Sequence, residues 1–226
     1  MTSAHLRFLS WFIVLACMEL ISNFLINSLP ILHYLSKPSI MASLIIYFWI
    51  ESGKVSKKWS KRMIFMIAAL VFAWLGDFFL MFAGDLYFQL GLGSFLLMQI
   101  GYILVFWTGS FKRIAIQKAV LIVAIGLFVF YLINPHLGTL FIPVLVYMLT
   151  ITTMVLTTLN REGKVLSVSF RWVFYGAVLF MISDSLIAIE KFYGNVPLRQ
   201  LWVMLTYMAA QYLIVEGWLK ELRNHE

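Results

Sequence analysis

The chain has 226 residues, 62% hydrophobic and only 12% charged, which leaves too little polar surface to coat a water-soluble fold of that length. The net charge of +7 sits in short segments between apolar runs, where basic side chains face phospholipid headgroups, so a lipid bilayer rather than nucleic acid is the expected partner. The single cysteine, Cys17, excludes a disulfide framework and a thiolate metal site, and its place in an apolar run predicts a small buried apolar residue.

A helix crossing the hydrocarbon core takes roughly 20 mostly apolar residues. Such runs fall at Phe8–Ile26, Tyr34–Ile50, Met63–Phe82, Tyr87–Trp107, Ala119–Ile133, Thr139–Leu159, Trp172–Ile189 and Leu201–Leu219. The first lacks a small-residue cleavage site and is followed by more of the same kind, so it reads as a spanning helix and not as a removable signal peptide. The boundary between the first two passes through Asn27, Pro30 and Lys37. The runs are continuously apolar rather than alternating, which excludes a barrel. The expected fold is all-α: a polytopic membrane protein with eight transmembrane helices in one integral membrane domain, residues 1–226.

With the amino terminus inside, 14 of the 17 basic residues fall on the cytoplasmic side: Arg7; Lys54, Lys57, Lys58, Lys61 and Arg62; Lys112, Arg113 and Lys118; Arg161, Lys164 and Arg171; Lys220 and Arg223. Adding or losing one span would scatter the later clusters to both faces, so the bias supports the helix count and puts both termini in the cytoplasm. It suits a multi-pass protein of a bacterial inner membrane. Lys37, Lys191 and Arg199 are left at the opposite face. Trp49, Trp59, Trp107, Trp172 and Trp218 fit an interfacial aromatic belt.

A carboxylate at the bilayer centre costs about 2.5 to 3.5 kcal/mol on insertion scales, so an acid within a span is a functional-site candidate by default. Asp77 and Asp184 are the strongest cases, both past the midpoint of helices rising from the cytoplasm and therefore at similar depth. Lys37-Pro38, Gly76-Asp77 and Gln99 are echoed by Ile142-Pro143, Ser183-Asp184 and Gln211 in the same order. Two parallel four-helix repeats would make the third and seventh helices equivalent and turn the two aspartates toward each other; chance similarity among apolar helices is the alternative. Glu19 and Asn23 share one face of the first helix, as do Tyr207 and Gln211 on the eighth, with Tyr147 on the sixth and Lys37 at the start of the second. Gln99 and Tyr102 lie three apart on the fourth. Such groups also serve as interhelical hydrogen-bond glue, each worth about 0.6 kcal/mol.

Several familiar sites are absent. No lysine lies mid-way along the seventh span to anchor a retinal, and His33 and His136, expected in outer loops, are too far apart for a zinc motif, while His5 and His225 are terminal. No serine sits in a nucleophile elbow with a partner histidine, and Gly91-Leu92-Gly93 lacks the context of a phosphate loop, so it reads as close helix packing.

Leu75-Gly76-Asp77, Gly91-Leu92-Gly93-Ser94-Phe95-Leu96-Leu97 with Tyr102, Pro143 with Tyr147-Met148, Gly176, Phe180, Ser183-Asp184-Ser185, Tyr207 and Gln211 together resemble the YhhN family of membrane lysoplasmalogenases. Lys37-Pro38 matches as well, and the resemblance runs from about Lys37 to Gln211. The family pattern usually has histidine where this chain has Gln99. The resemblance implies hydrolysis of the vinyl ether bond of a lysophospholipid, lysoplasmalogen, to a fatty aldehyde and a glycerophospho-ethanolamine or -choline.

Such a reaction needs a proton donor and a counter-charge for an oxocarbenium ion. Two carboxyls in an apolar cavity can supply both, one kept protonated by burial and repulsion while its partner stays ionised, which makes Asp77 and Asp184 the expected catalytic pair. Lys37, with Arg199 as a second candidate, would meet the substrate phosphate, unless it snorkels to the interface. Tyr147, Tyr207, Gln211, Ser183 and Gln99 complete the expected substrate-binding set. No cofactor is required. A small proton-coupled transporter, or a non-catalytic membrane protein whose acids are packing partners, remains open on the same residues.

Overall fold

The computed structural model describes residues 3–25, 30–56, 59–109 and 116–224. They form α1 (Ser3–Phe24), α2 (Pro30–Val55), α3 (Lys61–Phe79), α4 (Asp85–Phe106), α5 (Ile116–Ile133), α6 (Phe141–Leu159), α7 (Ser167–Phe192) and α8 (Arg199–Leu222), with two short 3-10 turns between α5 and α6. No strand occurs among the described residues. Helices α1 to α7 are each long and apolar enough to cross a membrane. The all-helical, multi-pass fold expected from the sequence is therefore the one observed.

Helix α8 falls short of that apolar threshold for a physical reason: its polar residues face protein. Gln211 and Glu216 are 0% and 1% exposed, and most of the helix from Val203 to Glu221 is buried, with Leu205 and Ala209 exposed between. Its chief neighbour is α7. A Cβ on Gly176 would lie 2.9 Å from the Ala210 carbonyl oxygen and 3.0 Å from the Ile214 nitrogen, and one on Gly217 would lie 2.9 Å from the Val173 nitrogen. Backbone meets backbone at both positions, the close approach that small residues permit where no hydrophobic driving force separates protein from lipid.

The chain divides into two compact units, Met1–Met98 and Gln99–Glu226. In the first, α2 packs on α1 and α3. It opens with Pro30 and runs through Pro38, so Lys37 lies about two turns inside the helix rather than at its start, half-buried. The Trp74 indole donates to the Pro38 carbonyl at 3.2 Å, tying α3 to α2 at this point. Ser60 caps α3 by accepting from the Met63 N–H at 3.3 Å. Beside Asp77, a Cβ on Gly76 would meet the Phe95 ring at 2.8 Å, and one on Gly91 would meet Leu80 at 2.7 Å. Gly91 is thus the packing glycine of the Gly91-Leu92-Gly93 run, because Gly93 has open space.

Four expectations are corrected. Cys17 is exposed on the apolar outside of α1 instead of buried. His33 is part of α2 and buried rather than in a loop. Trp218 is only 2% exposed, so it is core and not interfacial belt. Arg161 does not face headgroups: it is buried, donates to the Glu221 carboxylate and, at 3.0 Å, to Ser169, and lies 4.8 Å over the Phe106 ring. Lys57, Lys58, Lys112, Arg113 and His225 lie outside the described residues.

Because backbone atoms cannot yield, Gly176→Ala or Gly217→Ala forces α7 and α8 apart. Each is expected to cost about 1 to 3 kcal/mol, read as a lower unfolding midpoint in detergent, whereas Gly93→Ala should be close to neutral.

Candidate active site

In the second unit, α7 projects two consecutive polar residues in different directions, as the 100° step of a helix requires. Ser183 is buried and donates to the Val203 carbonyl on α8 at 3.2 Å. Asp184 turns toward α6, where the Tyr147 hydroxyl donates to its Oδ2 in a short hydrogen bond. Asp184 is half-buried and Ser183 fully so.

Helix α4 adds two side chains three residues apart on one face. The Tyr102 hydroxyl donates to Gln211 Oε1 on α8 at 2.5 Å, deep in the protein. Gln99, 0% exposed, lies beside the Tyr147 hydroxyl, out of hydrogen-bonding geometry with it. One turn before Gln211, Tyr207 is 4% exposed and packs its ring 6.0 Å from that of Phe180. Asp184, Tyr147 and Gln99 therefore form one polar group, and Tyr102 with Gln211 another.

Arg199 stands elsewhere. It opens α8, 3.7 Å from Glu190, whose other oxygen accepts from the Val196 N–H at 2.6 Å. Its charge is matched within the α7–α8 connection. In the first unit, Asp77 is 4% exposed on α3 and Lys37 is half-buried on α2.

The first unit also holds a polar cluster that sequence reasoning took apart. Glu19 on α1 is 0% exposed. Its Oε2 accepts from Ser36 at 2.5 Å and from Ser22 at 3.1 Å, while its Oε1 accepts from Asn23 at 3.2 Å and lies 3.0 Å from His33 Nδ1. The signal was present: Ser22 and Asn23 follow Glu19 by three and four residues, and Ser36 follows His33 by three, so each set shares a helix face. What hid it was the placement of His33 outside the second span. Among the described residues no three His, Cys, Asp or Glu side chains come together as a candidate metal site.

These features define a class first: a multi-pass helical membrane protein in which a carboxylate, a tyrosine and a glutamine meet between helices. Residues 32–218 match the YhhN family, and the chain belongs to that family. It is 31% identical over 196 residues, 82% of its own length and 71% of the relative's, to a lysoplasmalogenase of Mycobacterium tuberculosis (strain CDC 1551 / Oshkosh). It is 28% identical over 185 residues, 80% of its length and 71% of the relative's, to lysoplasmalogenase TMEM86B of Mus musculus, and 28% identical over 153 residues, 66% and 62%, to lysoplasmalogenase TMEM86A of Bos taurus. No solved structure matches.

The family match begins at residue 32, so Glu19 lies outside it while His33 and Ser36 lie within. Glu19→Ala would remove the carboxylate that Ser22, Asn23 and Ser36 share, while the backbone carbonyls of Glu19 and Leu32 still accept from those side chains, so a loss of about 1 to 3 kcal/mol is expected, seen as an unfolding midpoint below that of Glu19→Gln, which keeps one acceptor oxygen.

Proposed function

We propose that the protein is a membrane-embedded hydrolase that cleaves the vinyl ether bond of lysoplasmalogen. Membership of a family whose relatives carry the lysoplasmalogenase name supports the substrate. The observation that carries the chemistry is Asp184, a carboxylate within a membrane-spanning helix, accepting from Tyr147. An acid at membrane depth is costly to insert, which makes it a functional-site candidate by default.

The reaction begins with transfer of a proton to the alkene carbon remote from the ether oxygen. The carbon next to that oxygen becomes an oxocarbenium centre, water adds to it, and the added water loses a proton. The resulting hemiacetal gives up its hydroxyl proton and expels the glycerol oxygen, which takes up a proton, and the aldehyde is left. The sum is one vinyl ether and one water to one aldehyde and one alcohol.

The protein must supply a proton, a negative charge and an ordered water. We assign the proton and the negative charge to the pair Asp77 and Asp184, one carboxyl serving each need, with Asp184 the one that accepts from a tyrosine. Tyr147 orients that carboxylate. Lys37 serves the substrate phosphate as a point charge, with Arg199 subordinate because Glu190 already matches it. Tyr207, Gln211 and Ser183 line the substrate's polar end. The substrate is a single-chain lysophospholipid drawn from the bilayer, and the positive-inside bias orients both termini to the cytoplasm of a bacterial inner membrane.

Aldehyde release by detergent-purified protein tests the reading. Asp77→Asn and Asp184→Asn are each expected to lower kcat by about 100-fold or more with the fold retained, and wild-type inactivity on vinyl ethers would refute the substrate. Tyr147→Phe, which removes the group orienting Asp184 but not the carboxylate, should lower kcat by about 10-fold, less than either aspartate change.

A further inference from the structure

Gln99 is the one residue of the Asp184 group whose hydrogen bonds go unmade. It is 0% exposed on α4, and neither Nε2 nor Oε1 has a hydrogen-bond partner among the described residues. Gln211 makes the contrast: equally buried, it accepts the Tyr102 proton at 2.5 Å. A buried amide deprived of both partners is destabilising, more so than a made hydrogen bond is stabilising, and hydrocarbon offers no remedy. Such a group is retained when something outside the chain completes it.

The identity of that something follows from the amide itself. Its N–H group must donate and its carbonyl must accept. A phosphate oxygen only accepts, which would leave Oε1 unmet; an ammonium only donates, which would leave Nε2 unmet. A hydroxyl does both. The position is specific too, because the amide lies beside the Tyr147 hydroxyl that donates to Asp184.

We propose that Gln99 is a seat for one hydroxyl group, bound through both amide atoms next to Tyr147 and Asp184. Two sources share this chemistry: the free glycerol hydroxyl of the single-chain lipid and the water that adds to the oxocarbenium carbon. Resting as it does on the vinyl ether reading for the reaction, the proposal makes Gln99 either the residue that selects a lipid with an unacylated glycerol or the residue that orients the nucleophile. An acylated glycerol oxygen lacks the proton that Oε1 requires, so in the first case a two-chain lipid is rejected by an unmet acceptor as well as by bulk.

The test is Gln99→Met, which keeps the length of the side chain and removes both polar atoms. Aldehyde release should fall about 10- to 100-fold in kcat/KM, while the unfolding midpoint of the lipid-free protein holds or rises by a few degrees, because an unsatisfied amide has been removed. Loss of activity together with a lowered midpoint would mark Gln99 as a packing residue and overturn the proposal, as would unchanged kinetics. A vinyl ether substrate lacking the glycerol hydroxyl separates the sources. If wild type loses activity on it and Gln99→Met loses no more, the glycerol hydroxyl occupies the seat; if wild type cleaves it normally and the variant is impaired equally on both substrates, water does. Binding of the saturated alkyl ether lysolipid, with and without its hydroxyl, needs no turnover. Should wild type release no aldehyde, the vinyl ether reading fails, yet binding that depends on both the hydroxyl and Gln99 would still support the seat, and binding indifferent to Gln99 would overturn it.

Discussion

Within a bilayer there is no water to satisfy a polar side chain, so each buried donor or acceptor must find its partner inside the protein. That constraint organises this molecule. Arg161 is closed off by Glu221, Ser169 and the Phe106 ring. Glu19 is ringed by Ser22, Asn23, His33 and Ser36. Asp184 takes the Tyr147 proton, and Gln211 takes that of Tyr102. Each group joins two or more helices, so polar satisfaction and helix placement are one problem solved together.

Helix α8 shows the consequence for packing. It carries the most polar sequence of the eight long helices, with Arg199, Gln211, Glu216, Lys220 and Glu221, and most of its length is buried. The glycine contacts at Gly176 and Gly217 bring α7 and α8 close enough for Ser183 to reach the Val203 carbonyl. Glu216 is met by Arg223 at 3.0 Å and by Lys220 at 3.6 Å, so one end of the helix is neutralised locally. A polar helix of this kind is stable in a membrane when its polar side chains are met by protein, and the exposed faces, such as Trp202 and Leu205 on α8 and Val120, Leu121 and Phe128 on α5, are apolar as that requires.

The two buried glutamines differ in how far their amides are met within the protein. Gln211 is locked to Tyr102, while Gln99, three residues before that tyrosine on the same helix, is not satisfied. Natural proteins break the rule of polar satisfaction sparingly, and chiefly where a ligand or a reaction restores it.

By itself the sequence determined the lipid-soluble class, the number of long helices, the spans of α3 through α7 to within a few residues, and the intramembrane acids worth attention. Length, apolarity and charge placement are local properties, and a bilayer turns them directly into helices. The same logic went wrong where a residue's environment depends on a neighbouring helix. Cys17 and Trp218 have the composition of core and belt respectively, yet rotation of α1 puts the first outside and packing of α8 puts the second inside. The apolar run from Tyr34 puts Lys37 at a helix start, whereas α2 opens at Pro30, runs through Pro38 and has that proline's carbonyl engaged from α3. Only the tertiary structure decided that Tyr147 would serve Asp184, that Glu19 would gather donors from α2, and that Gln99 would be left unmet. Those outcomes depend on the rotation of each helix about its axis, which is set by contacts between helices and is not legible in any one of them.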